Sequence, residues 1–172
     1  GGALSEGEDD QSELGAKDVY ELNKLGEIQQ WCYDNGRSFW EYVEKCEGKE
    51  IWDYLDMVWQ TMKQAIKNGL DHEGVLPGPL NLPRKAATYY TKAKGYRTSL
   101  QSRGLVYSYA LAVSEENASG GTIVTAPTCG ACGVLPAVLY HMHTSHDMSE
   151  QRILRALATA GLVGNVVKQN AS

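Results

Sequence analysis

Two cysteines stand three positions apart in residues 125–136, a segment that also holds two glycines and two prolines. Prolines and glycines favour a tight, non-helical backbone up to about Gly133, and from Val134 onward the apolar pattern is that of a helix. Cys129 and Cys132 therefore precede a helix N-terminus, where free backbone N–H groups and the helix dipole favour a thiolate over a thiol. A thiolate at this place could serve as a metal ligand, a redox centre or a nucleophile.

The other ligand-type residues leave several interpretations of this cysteine pair open. A closed zinc site needs four ligands, and the downstream His141, His143 and His146 follow the pair too closely for the usual zinc-finger spacing. A thioredoxin-like redox site would need a βαβ context, which the sequence lacks. Burial as small hydrophobes is the third interpretation, and it suits Cys32 and Cys46, which lie on helical faces beside aromatic residues, better than it suits the motif pair.

Composition excludes several classes of protein. The chain has 172 residues, 42% of them hydrophobic, which is enough for one domain with a core. Its formal net charge of −5 argues against nucleic acid as a partner. No run of eighteen apolar residues and no signal-peptide pattern is present, so we expect no membrane partner. Four cysteines in a chain without a secretory signal indicate a reducing, cytoplasmic location.

Helical periodicity recurs along the chain, and no segment alternates as a strand does. The fold class is therefore expected to be all-α, with six to eight helices and two ordered Gly/Pro-rich loops at 70–83 and 119–133. Because both loops also carry apolar residues, we expect them to meet and to form one wall of a pocket. The predicted helices are 17–35, 38–44, 51–68 (stopped by Gly69), 84–94, 100–118, 134–143 and 150–166.

Other polar and aromatic residues have simpler expected roles. The histidines of the motif helix are expected to face solvent. Glu115 and Glu116 are expected to form a solvated helix end, although acidic residues there oppose the helix dipole. The aromatic residues at helical spacing are expected to lie in the core: Trp31, Trp40, Trp52, Trp59 and Tyr54.

Several motifs, in order, resemble the catalytic α region of iron–sulfur-dependent L-serine dehydratases. They are VWQTM at 58–62, EGVLPGPL at 73–80, ALAVSEENA at 110–118, the pair Gly120-Gly121, the motif at 125–136 and the terminal NAS at 170–172. The resemblance implies a mostly helical domain and a [4Fe–4S] cluster that acts as a Lewis acid on the hydroxyl of L-serine, yielding pyruvate and ammonia. It also implies that Cys132 is a metal ligand, whereas Cys129 stands where relatives carry residues that bind no metal.

The resemblance further implies that this chain is one part of a larger protein. Residues 1–14 are expected to be a disordered acidic linker or an expression remnant, and 15–172 the N-terminal part of the truncated α domain. The remaining domains of the parent would supply the other cluster ligands, so the fragment alone is expected to lack the cluster and activity; a homodimer is a further candidate assembly. The general base is not identified. Glycine-rich loops offer N–H groups to the substrate carboxylate, and the expected substrate-binding residues are Thr128, Cys129, Gly130, Gly78, Asn117, Gly120 and Gly121.

Two rival functions remain at this point. The chain could be a non-catalytic helical module that binds zinc or a redox partner through Cys129 and Cys132. It could also be a helical interaction domain with inert cysteines, whose buried thiols would titrate at high pH.

Overall fold

A computed structural model describes residues 19–125 and 129–171, and in these ranges it contains seven α-helices, one short 3-10 helix and no strand. The all-α prediction is confirmed, and none of these helices is long and apolar enough to cross a bilayer. The expected linker at 1–14 lies outside the described residues. The helices are α1 (Leu25–Asn35), α2 (Phe39–Glu47), α3 (Ile51–Asp71), α4 (Ala86–Lys94), α5 (Thr98–Ala118), α6 (Val134–Ser145) and α7 (Glu150–Asn170), with the 3-10 helix at Cys129–Ala131.

Several helix ends follow directly from local sequence. Gly36 ends α1 in the left-handed conformation, at φ +61°, which costs glycine no steric strain. Ser38 precedes α2, and its N–H donates to the Glu41 carboxylate at 2.8 Å, as in a capping box. The Ser149 hydroxyl accepts a hydrogen bond from the Arg152 N–H at the start of α7.

Several predicted helix boundaries are wrong: the second helix ends at Glu47 rather than at residue 44, and the last continues from residue 166 to Asn170. Two other differences have a visible cause. The first helix begins at Leu25 rather than at residue 17. Residues 19–24 are not helical, and the Leu22 N–H donates to the Tyr42 hydroxyl at 3.3 Å. The third helix continues through Gly69 to Asp71. Gly69 lies where α3 crosses α5, and a Cβ at this position would overlap the Ala112 carbonyl. Glycine is therefore present for the close approach of two helix backbones, not to end the helix.

Two adjoining hydrophobic clusters form the core. The first joins residues of α1, α2, α3, α6 and α7 around the fully buried Trp59, and the second joins α3, α5 and α6 around Ile66 and Tyr109. Burial raises the pKa of Tyr109 to about 12. Trp31, Trp40 and Trp52 are partly buried against the first cluster, whereas the expected core residue Tyr54 is 56% exposed.

The Gly/Pro-rich segment after α3 is an ordered hairpin-like loop. The Leu76 N–H donates to the Leu82 carbonyl and the Arg84 N–H donates to the Gly74 carbonyl, both at 2.8 Å. Gly74 and Gly78 have φ of +98° and +119°, which few other residues adopt. The prediction of an ordered loop is confirmed.

Candidate functional site

The cysteine motif forms one tight turn followed by α6. Residues Cys129–Ala131 make the 3-10 helix, and the Cys132 N–H donates to the Cys129 carbonyl at 3.3 Å. Helix α6 begins at Val134, as the apolar pattern predicts. Cys129 is exposed, whereas Cys132 is only 6% exposed and belongs to the second core cluster.

Gly133 holds the motif against α5. Its φ of −85° is accessible to any residue, so conformational freedom does not explain the glycine. A Cβ at this position would instead overlap the carbonyl of Ala110, which is part of a helix backbone and cannot rotate away. This contact fixes the depth at which the adjacent Cys132 is buried.

Cys132 lines a cleft of about 520 Å³ between α3, α6 and α7, a volume typical of small-molecule sites. Val124 and Thr125, which lead towards the motif, also line it. Its walls are mainly small or apolar, and four exposed polar side chains join them. These are Tyr54, Thr125, Asn165 and Lys168.

The protein environment disfavours the thiolate at Cys132. Burial raises the pKa of this thiol, and the neighbouring Cys129 raises it further. A hydrogen bond from the residue's own N–H lowers the pKa, as expected near a helix start, but this effect is smaller than burial. The expectation of a thiolate favoured by the helix N-terminus is therefore wrong for the protein without a metal, although a bound metal would deprotonate the thiol.

Of the described residues expected to bind metal or substrate, Cys132 alone lines the cleft. Thr128 lies outside the described residues. Gly130 and Gly78 are exposed, and an added Cβ would meet no atom within 4 Å at either position. Cys129 is exposed at the surface of the motif turn.

The residues after α5 are engaged with the end of that helix. The Gly120 N–H donates to the Asn117 carbonyl at 3.2 Å, and the Gly121 N–H donates to the Glu116 carbonyl at 2.9 Å. These two N–H groups are therefore already paired and would have to exchange partners to bind a carboxylate.

The two irregular segments do not share a wall of this cleft, although His72 of the first and Gly121 of the second both lie beside the Glu116 carboxylate. No described residue of 70–83 lines it. The reason lies in α3, which contributes Met62 to the cleft and then continues for nine residues to Asp71. At 1.5 Å per residue, this places the start of the loop about 14 Å further along the helix.

Glu115 is buried, and it caps another helix. One of its carboxylate oxygens accepts hydrogen bonds from the N–H groups of Lys85 and Ala86, at 2.6 and 3.1 Å, at the start of α4. The positive end of that helix stabilises the carboxylate charge. A solvated role for this residue, as the sequence suggested, is wrong.

Glu116 is also buried, with 5% exposure, and it joins three segments. Its carboxylate lies 3.4 Å from His72 Nδ1 and 3.9 Å from the Arg84 guanidinium. A Cβ on Gly121 would come 2.5 Å from the same carboxylate, so any larger residue there would require this carboxylate to move. In the sequence, this cluster is indicated by Glu115 and Glu116 at the C-terminus of a helix, because the helix dipole disfavours negative charge there.

The histidines of α6 serve the packing of that helix. His141 is buried, and its Nε2 lies 2.6 Å from the Ser102 hydroxyl. Burial lowers the pKa of His141, and the nearby His146 lowers it further. His143 Nδ1 lies 2.8 Å from the Met148 carbonyl, and its ring meets Trp59 edge-on. The expectation that all these histidines face solvent is therefore wrong for His141, while His146 is exposed.

The donor set can be compared with what metals require. Within 19–125 and 129–171, no group of three or more His, Cys, Asp or Glu side chains could hold a metal ion. A four-iron cluster is held by cysteine thiolates and needs at least three when one iron stays open. The described residues offer one buried thiol that lines a cleft, but they do not offer a complete ligand set.

Comparison with known proteins gives a consistent family. The model of the serine dehydratase alpha chain family matches residues 9–172. The chain is 41% identical over 164 residues to the L-serine dehydratase of Haemophilus influenzae and 39% identical over 163 residues to L-serine dehydratase 1 of Escherichia coli K12. Both alignments cover 89% of this chain and 36% of the relative.

A third relative matches a shorter stretch. The L-serine dehydratase of Streptomyces coelicolor is 41% identical over 126 residues, which cover 72% of this chain and 28% of that protein. The chain thus spans about a third of the length of the relatives it matches. Because the family model covers nearly the whole sequence, the chain belongs to the serine dehydratase alpha chain family.

Proposed function

We propose that this chain is part of an iron–sulfur L-serine dehydratase, which converts L-serine into pyruvate and ammonia, and that Cys132 is one ligand of its [4Fe–4S] cluster. The observation that carries the proposal is the position of Cys132, a buried thiol that lines the cleft in a chain of this family. When bound, the cluster supplies a Lewis acid that polarises the substrate hydroxyl.

The chain's own residues have two roles in this proposal. Gly133 packs on Ala110 and thereby holds Cys132 at a fixed depth in the cleft wall. The Lys168 ammonium and the Asn165 amide, both on α7, offer a positive charge and hydrogen-bond donors to the carboxylate of an amino acid that enters the cleft. The small and apolar residues around them reduce the access of water to the substrate.

The other cluster ligands lie outside the described residues in this proposal. Only Cys129 neighbours Cys132 in the motif, and two thiolates are too few for a four-iron cluster with one open iron. We therefore expect the 172-residue chain alone to hold no assembled cluster and to have no dehydratase activity. The N–H of Gly130, an exposed residue, remains a proposed contact for the substrate carboxylate.

The test uses the longer protein that contains this sequence, purified without oxygen. We expect iron and acid-labile sulfide in the protein, pyruvate formation from L-serine, and loss of both iron and activity on chelation. The 172-residue chain, treated identically, should form no pyruvate. Zinc in place of iron, together with no pyruvate from the longer protein, would contradict the proposal and favour a zinc-binding module.

A further inference from the structure

The two thiols of the motif share one turn but differ in exposure. Cys129 is exposed and Cys132 is 6% exposed. The hydrogen bond from the Cys132 N–H to the Cys129 carbonyl closes the turn at 3.3 Å. Such a turn brings its end Cα atoms within about 7 Å, and a disulfide spans Cα atoms about 4.4–6.8 Å apart.

The surroundings of the turn let one cysteine move towards the other. Gly133 and Ala110 hold the Cys132 end against α5. Gly130 and Ala131 are exposed, and the space beside Gly130 is open. On the side of Gly130 and Ala131, no described residue therefore blocks the approach of Cys129 to Cys132.

The other two cysteines have a different setting. Cys32 lies on α1 and Cys46 on α2, and both are partly buried against the first core cluster. Neither belongs to a turn with a second cysteine. The motif is thus the place where an exposed thiol and a buried thiol are adjacent in one turn.

We infer that Cys129 and Cys132 form a reversible disulfide, with Cys129 as the thiol that reacts first with a small disulfide such as oxidised glutathione. The sulfur of Cys129 attacks one glutathione sulfur, the glutathione S–S bond breaks, and one reduced glutathione leaves with the proton. The sulfur of Cys132 then attacks Cys129 and releases the second reduced glutathione. Two protein thiols are oxidised, and one glutathione disulfide is reduced to two thiols.

The disulfide has a consequence that rests on the proposed function. A sulfur bound in a disulfide offers no thiolate to a metal, so oxidation and iron binding exclude each other at Cys132. Cys129 would then be the residue that decides whether oxidation removes a cluster ligand reversibly.

The disulfide is tested on the 172-residue chain with Cys32 and Cys46 replaced by Ser, which leaves the motif pair alone. After exposure to oxidised glutathione, we expect the loss of two free thiols per chain, no retained glutathione, and a cross-linked peptide that dithiothreitol releases. In the same background Cys132→Ser should retain one glutathione on Cys129. Peptide mapping of the unsubstituted chain repeats the test without the two Ser replacements, and circular dichroism confirms that each variant is folded.

Stable glutathione on Cys129 while Cys132 stays a free thiol would overturn the inference, as would no reaction at either thiol. The consequence for iron is measured separately, by iron uptake of the longer protein after oxidation. Blocked uptake that dithiothreitol restores supports the consequence. Normal uptake with the disulfide in place would refute Cys132 as a ligand and leave the disulfide itself standing.

Discussion

Replacing Gly133 with Ala tests how the motif is held. The added Cβ would overlap the Ala110 carbonyl of α5, which is a helix backbone atom and cannot rotate away as a side chain can. Overpacking of this kind costs about 1–3 kcal/mol. Gly133 precedes α6 rather than lying inside it, so little gain in helix propensity offsets this cost. For a protein of this size, each kcal/mol lowers Tm by about 2–4 °C.

Gly130→Ala is the matched control within the same motif, because an added Cβ there meets nothing within 4 Å. We expect its free energy of unfolding to stay within about 0.5 kcal/mol of the parent. Urea and thermal unfolding, followed by circular dichroism, give both values. In a Cys129→Ser background, Cys132 should also react faster with a thiol reagent when Gly133 is replaced by Ala. Equal stability of the two variants, with unchanged reactivity of Cys132, would refute this explanation of the glycine.

Three further predictions concern the fold around the site. Gly69→Ala should destabilise the protein by about 1–3 kcal/mol, because the added Cβ would overlap Ala112. Gly161→Ala, which has open space around it in α7, should stabilise the protein by up to about 1 kcal/mol. Equal effects of the two variants on urea unfolding would refute the role of Gly69 in the crossing of α3 and α5. Glu115→Ala removes the cap of α4 and should lower the free energy of unfolding by about 1–3 kcal/mol. Glu115→Gln keeps one acceptor oxygen and should lower it less. The reverse order of the two variants would refute the capping role. Burial lowers the pKa of His141 below 6.5, so the unfolded chain binds the proton more readily and stability should fall as the pH drops below that value. His141→Asn should flatten this part of the curve of urea midpoint against pH, and an unchanged curve would assign the effect to other groups.

Local sequence signals were sufficient for the helices and for several of their ends. Gly36 and Ser149 act through their own backbone or side chain, so their roles can be read without the rest of the fold. Gly69 shows the limit of this approach. A glycine that ends a helix and one that allows two helices to cross look alike in sequence, and the distinction depends on a distant residue of α5.

The site shows the same division between local and long-range information. The position of Cys132 before a helix was predictable, but its raised pKa was not, because burial depends on packing against α3 and α5. The burial of Glu115 likewise depends on the start of α4, thirty residues away in sequence. Tyr54 has the spacing of a core residue, yet it is exposed beside the cleft, since the neighbouring elements leave that face of α3 open.

The central claim is that Cys132 binds iron and that Cys129 does not. It is tested most directly by the iron and sulfide content of the longer protein carrying Cys132→Ser or Cys129→Ser, each purified without oxygen and checked for folding by circular dichroism. We expect Cys132→Ser to lose the iron and the formation of pyruvate from L-serine. We expect Cys129→Ser to keep the iron and to lose at most part of the rate. Loss of iron from Cys129→Ser, with iron retained by Cys132→Ser, would contradict the assignment.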